Sequence, residues 1–186
     1  MHKITTRLVI LIALVYQLLL VGCTTSPSQP DNIAEISIER QLEHLYRLAK
    51  NSDSAISESY RIDAADLLSQ QQRFDEAATI LEGISLQQLP LKARAIYAVV
   101  QAEIALSRFD ADAALNSLNQ NSELILQQDQ ALQLRASLSR ADGFDLLNRP
   151  LDSARERIHL APLLDSSQRN KNETALWGAL IKTPLI

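Results

Sequence analysis

The sequence predicts an all-α protein, a solenoid of helical hairpins behind an amino-terminal leader, and three observations carry that expectation. Leu and Ala supply 55 of 186 residues while Val, Thr, Tyr and Phe are sparse, a balance that favours helix formers over the branched and aromatic residues of sheets. Apolar residues recur at helical spacing, as at Ile38, Leu42, Leu45 and Ala49. A similar joint also returns along the chain. Gln72-Arg73-Phe74-Asp75-Glu76-Ala77-Ala78 is echoed by Ser107-Arg108-Phe109-Asp110-Ala111-Asp112-Ala113-Ala114, and more faintly by Asn148-Arg149-Pro150-Leu151-Asp152-Ser153-Ala154.

The leader comes first. Lys3 and Arg7 precede an apolar run from Leu8 to Val21, broken only by Gln17, that ends at Gly22 before Cys23. This is a secretory signal layout. The run is shorter than the about 20 apolar residues that span a bilayer. Leu20-Val21-Gly22-Cys23 resembles the bacterial lipobox, so residues 1–22 are expected to be a lipoprotein signal peptide and Cys23 the lipidated residue. Each buried CH₂ contributes about 0.8 kcal/mol, so two or three acyl chains anchor durably where one does not. Thr24 follows the cysteine; an Asp there would mark inner-membrane retention, so outer-membrane sorting with the domain on the periplasmic side is expected. Residues 23–31, polar and carrying Pro27 and Pro30, read as the lipidated cysteine and its tether. The helical domain is then expected over 32–186.

Within that domain Asn32 and Glu35 have the spacing of a capping box. Glu35, Glu39 and Glu43 form an acidic ridge opposite the apolar stripe, read as solvated rather than catalytic. A second helix is expected from Ala55 to Gln71, a third from Phe74 to Glu82 closed by Gly83, and a fourth from Leu91 to Leu106 behind Pro90. With Ala77, Ala113 and Ala154 as marker alanines the joints lie 36 and 41 residues apart, near the period of a tetratricopeptide helix-turn-helix. The small alanines would let paired helices approach closely, and Phe74, Phe109 or Leu151 would fill the wedge between pairs. A last helix is expected from Arg169 to Ile181, capped by Ser166-Ser167, with Trp177 sealing the end of the stack.

Most catalytic chemistry lacks its residues here. One cysteine excludes a disulfide framework and any Cys-rich zinc site, and four scattered glycines exclude phosphate-cradling loops. His44 and His159 are isolated, no HExxH, GxSxG or SxxK motif occurs, and no metal or cofactor is implied. Without the leader the chain holds 16 basic and 22 acidic residues, a balance that opposes nucleic acid as a partner. The densest basic group, Arg149, Arg155 and Arg157 beside His159, is offset by Asp152, Glu156 and Asp165. Arg94, Tyr97 and Gln101, on the polar side of the fourth helix, are the candidate protein-binding groove.

In order, the lipobox, the polar tether, the Arg73-Phe74-Asp75-Glu76-Ala77 and Arg108-Phe109-Asp110 joints, the Asn148-Arg149-Pro150-Leu151-Asp152 joint and the ending Asn172-Glu173-Thr174-Ala175-Leu176-Trp177-Gly178-Ala179-Leu180 resemble the amino-terminal half of the LpoA family. These are outer-membrane lipoprotein activators of penicillin-binding proteins. The resemblance implies a regulator rather than an enzyme, its partner a bifunctional penicillin-binding protein, with peptidoglycan itself a further candidate contact. Family members continue into a larger domain that carries the synthase contact, so no contact residue transfers to this chain.

Two readings therefore stand: a lipoprotein that activates or positions a peptidoglycan synthase, and a non-regulatory helical-repeat scaffold for envelope assembly, or an activator truncated before its synthase-binding domain. Both require the anchor. Mass spectrometry of the mature protein is expected to find a diacylglyceryl-modified amino terminus at Cys23. An unmodified cysteine there would remove the anchoring half of both readings.

Overall fold

A computed structural model describes residues 30–182, with side chains from residue 36 onward. The leader, Cys23 and the tether up to residue 29 lie outside the described residues, as do the side chains of Asn32 and Glu35. The chain divides into compact units at Ser37 and Ile38, and the packing below belongs to the unit that begins at Ile38.

Among the described residues every regular element is helical: α1 (Pro30–Lys50), α2 (Ser54–Gln70), α3 (Phe74–Leu81), α4 (Leu91–Ser107), α5 (Ala111–Gln120), α6 (Ser122–Leu126), α7 (Gln130–Leu146), α8 (Pro150–Leu160) and α9 (Ser166–Ile181), with 3-10 turns at Leu86–Gln88 and Ala161–Leu163. The first helix starts at Pro30, inside the expected tether, where a proline with no N–H to satisfy is at home in a first turn. The hairpins are α2–α3, α4–α5 and α7–α8. Each first helix packs on the next, α2 on α4 and α4 on α7, while α3 also packs on α4, α5 on α7 and α9 on α8. This is the expected all-α stack of helical hairpins.

The three joints share one backbone device. Gln72, Phe109 and Asn148 have φ of 61°, 59° and 53°. The N–H of each bonds three residues back, to the carbonyls of Ser69, Leu106 and Asp145, and the next N–H, of Arg73, Asp110 and Arg149, bonds five back to Leu68, Ala105 and Phe144, each at 2.9 Å. That pair of bonds is a Schellman motif, which satisfies the last carbonyls of the first helix. Its final residue is at once the N-cap of the second helix. Asp110 caps directly, accepting from the Ala113 N–H at 3.0 Å. Arg73 and Arg149 have no acceptor to offer and instead clamp the acid three residues on, Glu76 and Asp152, whose charge suits a helix start.

Aligned on the left-handed residue, the joints recur after 37 and then 39 residues, and the sequence match of Arg108-Phe109-Asp110 to Arg73-Phe74-Asp75 is out of register by two. Two expectations fail with it. The small residues at equivalent positions are Ala77, Ala114 and Ser153, each 0% exposed, whereas Ala113 is exposed. Phe74 opens α3 and is half-buried, but Phe109 occupies the turn and is 80% exposed, and Leu151 is exposed as well, so neither fills a wedge.

The core runs along the shared faces through Ile62 and Leu68 of α2, Val99 and Val100 of α4, Leu118 of α5 and Leu132 and Ala136 of α7. Gly143 marks a close approach of α7 to α5: a Cβ there would stand 3.1 Å from Leu115 Cγ. The last helix begins at Ser166 rather than Arg169 because Asp165, not the serine pair, caps it. Its carboxylate accepts from the Gln168 N–H and the Gln168 side chain accepts from the Asp165 N–H. The face of α9 turned inward holds Asn172 and Ala179, which leaves Trp177 65% exposed. Apolar residues occur around most of that helix, so spacing alone did not select the buried side.

Ala114→Leu is expected to destabilise the protein by about 1–3 kcal/mol, because a closed hairpin contact has no room for the added carbons. Ala113→Leu should stay within about 0.5 kcal/mol. Urea unfolding of the two variants side by side measures the register of the second joint.

Candidate functional site

The first helices of the three hairpins form one face, and its charges are organised by position in the repeat. An acid stands six residues before each left-handed turn residue: Asp66 in α2, Glu103 in α4 and Asp142 in α7. The shared turn geometry gives these acids a common phase.

Two arginines serve them. Arg135 of α7 grips Glu103 with two bonds, Nε to Oε1 at 2.9 Å and Nη2 to Oε2 at 2.7 Å, and donates from Nη1 to Asp66 Oδ1 at 2.6 Å. The Ser69 hydroxyl donates to the same Glu103 carboxylate at 2.6 Å. Burial works against the charge on Arg135, but Glu103 and Asp66 outweigh it and raise its pKa. Arg157 of α8, its side chain 6% exposed, donates from Nη2 to Asp142 at 2.8 Å and to Asp145 at 2.7 Å. Asn172 of α9 donates to the Arg157 carbonyl at 2.9 Å and so ties the last helix to this cluster.

Two cavities open on this face, one on either side of Arg135. The smaller, about 570 Å³, is bounded by Leu45 of α1, Asp63 and Asp66 of α2, Lys92 and Ile96 of α4, and Asp129 and Leu132 next to or within α7. The larger, about 920 Å³, runs from Ser69 and Gln70 past Glu103 and Leu106 to Leu138, Ser139, Asp142 and Leu146, with Phe74 and Phe109 among its walls. Both are polar grooves with apolar floors, suited to binding an extended ligand by charge and shape.

The residues chosen from sequence lie elsewhere. Arg94, Tyr97 and Gln101 share a face of α4 opposite the Lys92, Ile96 and Glu103 line. There they border a crevice of about 300 Å³ with Asn116, Ser117 and Gln120 of α5. Gln101 Nε2 donates to Tyr97 Oη at 3.3 Å, which joins two of the three. Sequence reasoning missed Asp66, Glu103, Arg135 and Asp142. The signal was present as an acid at constant distance from each turn, and the two-residue slip of the Arg-Phe-Asp match at the second joint hid it.

The expected basic group divides. Arg157 is buried in the acid cluster, whereas Arg149 and Arg155 share Asp152 on the surface, with Arg149 lying 4.6 Å from the centre of the Phe144 ring. The Glu39 carboxylate of the acidic ridge accepts a bond from Arg73, and Arg73 holds Glu76 below its usual range through a side-chain hydrogen bond. His44 accepts from Arg47 at 3.0 Å. Among the described residues no group of His, Cys, Asp and Glu is placed to hold a metal ion, and no helix is long and apolar enough to cross a membrane.

Set against known proteins, residues 32–185 match the family described as "LppC putative lipoprotein". No curated protein and no solved structure matches the chain.

Asp63 gives the smaller cavity a measurable signature. Burial pushes its carboxyl above the ordinary range, Asp66 adds to the effect and Lys92 offsets only part of it. A raised folded-state pKa means that the folded protein holds this proton more tightly than the unfolded chain does. Stability is therefore lost as pH rises from the unfolded value through the folded one, and the full cost is present above it. Asp63→Asn is expected to raise Tm at about pH 7, with the advantage shrinking toward about pH 4, where the carboxyl protonates in both states. A lower Tm at neutral pH would instead show that the carboxylate makes a stabilising contact.

Proposed function

We propose a function from one premise: the chain belongs to the LppC family of lipoproteins. On this reading it is an outer-membrane lipoprotein, anchored through Cys23 with its helical domain in the periplasm, that activates or positions a peptidoglycan synthase of the bifunctional penicillin-binding class. It acts by contact rather than by catalysis.

The observation that carries the proposal is the family match across the helical domain, taken with the lipobox ahead of it and the resemblance of the joints to the LpoA family. The physical picture agrees. A lipid anchor places the domain at one membrane, and a stack of hairpins presents a long side with grooves suited to holding another protein. Asp66, Glu103, Asp142 and Asp145 on that side are held in ion pairs with Arg135 and Arg157, an arrangement that suits recognition better than proton transfer.

The test is peptide cross-linking by a purified bifunctional penicillin-binding protein in detergent, with and without the full chain. A rise in the cross-linked fraction is the expected result. No change, with circular dichroism showing the chain helical, would leave the scaffold reading in its place.

A further inference from the structure

Three features converge on the larger groove. The first is Phe109. At the left-handed position of the other two joints stand the amides Gln72 and Asn148, but the middle joint places an aromatic ring there, 80% exposed, at φ 59°. A bulky residue in that backbone region is strained, and here the strain is not offset by burial. The ring stands instead at the wall of the 920 Å³ cavity.

The second is Ser139 in the middle of α7. It is 5% exposed and lines the same cavity, and among the described residues its hydroxyl makes no hydrogen bond. Its oxygen is not sealed in the interior but reaches the groove, where it can pair with something that enters.

The third is charge. Asp142 and Asp145 share the single guanidinium of Arg157, and Glu103 and Asp66 share that of Arg135. Each cluster has two carboxylates for one cation, and both arginines are committed. Of these groups Glu103, Asp142, Asp145 and Arg135 line the groove, which thus carries surplus negative charge beside an exposed aromatic face, and both features attract a cation. Leu106, Leu138 and Leu146 supply apolar floor next to that charge.

We propose that this groove binds an extended segment of a partner protein rich in Lys or Arg and interspersed with apolar residues. A cationic side chain lies between the Phe109 ring and the Asp142 and Asp145 carboxylates, an apolar one enters against Leu138 and Leu146, and the Ser139 hydroxyl pairs with a polar group of the ligand. The inference goes beyond the regulatory reading, and its test contains no synthase, so either can fail without the other.

The experiment is fluorescence anisotropy of a labelled peptide, GKLRKLG, with the full chain in neutral detergent, against the charge-reversed peptide GELEELG and a micelle-only blank. The cationic peptide is expected to bind saturably and at least about tenfold more tightly than its reverse. Phe109→Asn should weaken it about tenfold while Tm stays unchanged or rises, since an amide is what the other joints carry at that position. Ser139→Ala should weaken it severalfold. Equal binding of the two peptides, no saturation below about 1 mM, or full affinity in Phe109→Asn would each overturn the proposal. Displacement of the cationic peptide by chitotetraose, with that sugar binding tightly by itself, would assign the groove to glycan and overturn it as well.

Discussion

Every hairpin turns on one residue held at positive φ. Its own N–H and that of the next residue bond back into the helix just finished, and that next residue already caps the helix about to begin. There is no spare residue in the joint. The rotation of each second helix about its axis is therefore set by a few backbone bonds rather than by side-chain packing, and packing must conform to it. Small residues follow as a necessity at Ala77, Ala114 and Ser153, which stand fully buried at the same place in each second helix. So does the common phase of Asp66, Glu103 and Asp142. A change to the turn would alter the core and the groove together.

The same constraint explains what could be read from the sequence. Composition and helical spacing suffice for an all-α stack, and the bounds of the second, third and fourth helices fall within a residue or so of the expected ones. The positive-φ residue leaves almost no trace in the letters: Gln, Phe and Asn share no chemistry that announces it, and glycine is absent from all three positions. The conspicuous Arg-Phe-Asp string therefore imposed its own alignment, two residues off at the second joint. Trp177 was lost for a different reason. A helix that carries apolar side chains on most sides does not declare which side is buried. The groove was missed because α4 is apolar or small around much of its circumference, so its few polar residues point in two directions, and only the positions of α2 and α7 distinguish them.

The two arginine clusters bear unequally on stability and specificity. Taking a guanidinium and two carboxylates partly out of water costs free energy that the ion pairs largely restore, so their net contribution to stability is small. Removing one partner is another matter, because it strands the rest. Such clusters fix which helices lie side by side more firmly than they add to the total. Arg61 acts in the same spirit at lower charge, donating to the Ile80 carbonyl at 2.5 Å and the Glu82 carbonyl at 2.9 Å and so closing the end of α3 from its neighbour.

Arg135 also reaches past its nearest neighbour. In a stack of repeats each unit ordinarily touches only the ones beside it, and such arrays can fray from their ends one repeat at a time. The Arg135 guanidinium bonds Asp66 directly, from the third hairpin to the first, while holding Glu103 of the hairpin between. That contact adds a second-neighbour coupling to what would otherwise be a one-dimensional chain of couplings. The middle repeat cannot open without loosening both of the others, and the outer two sense each other without an intermediary. Cooperativity of unfolding in this domain is accordingly greater than its modular architecture implies.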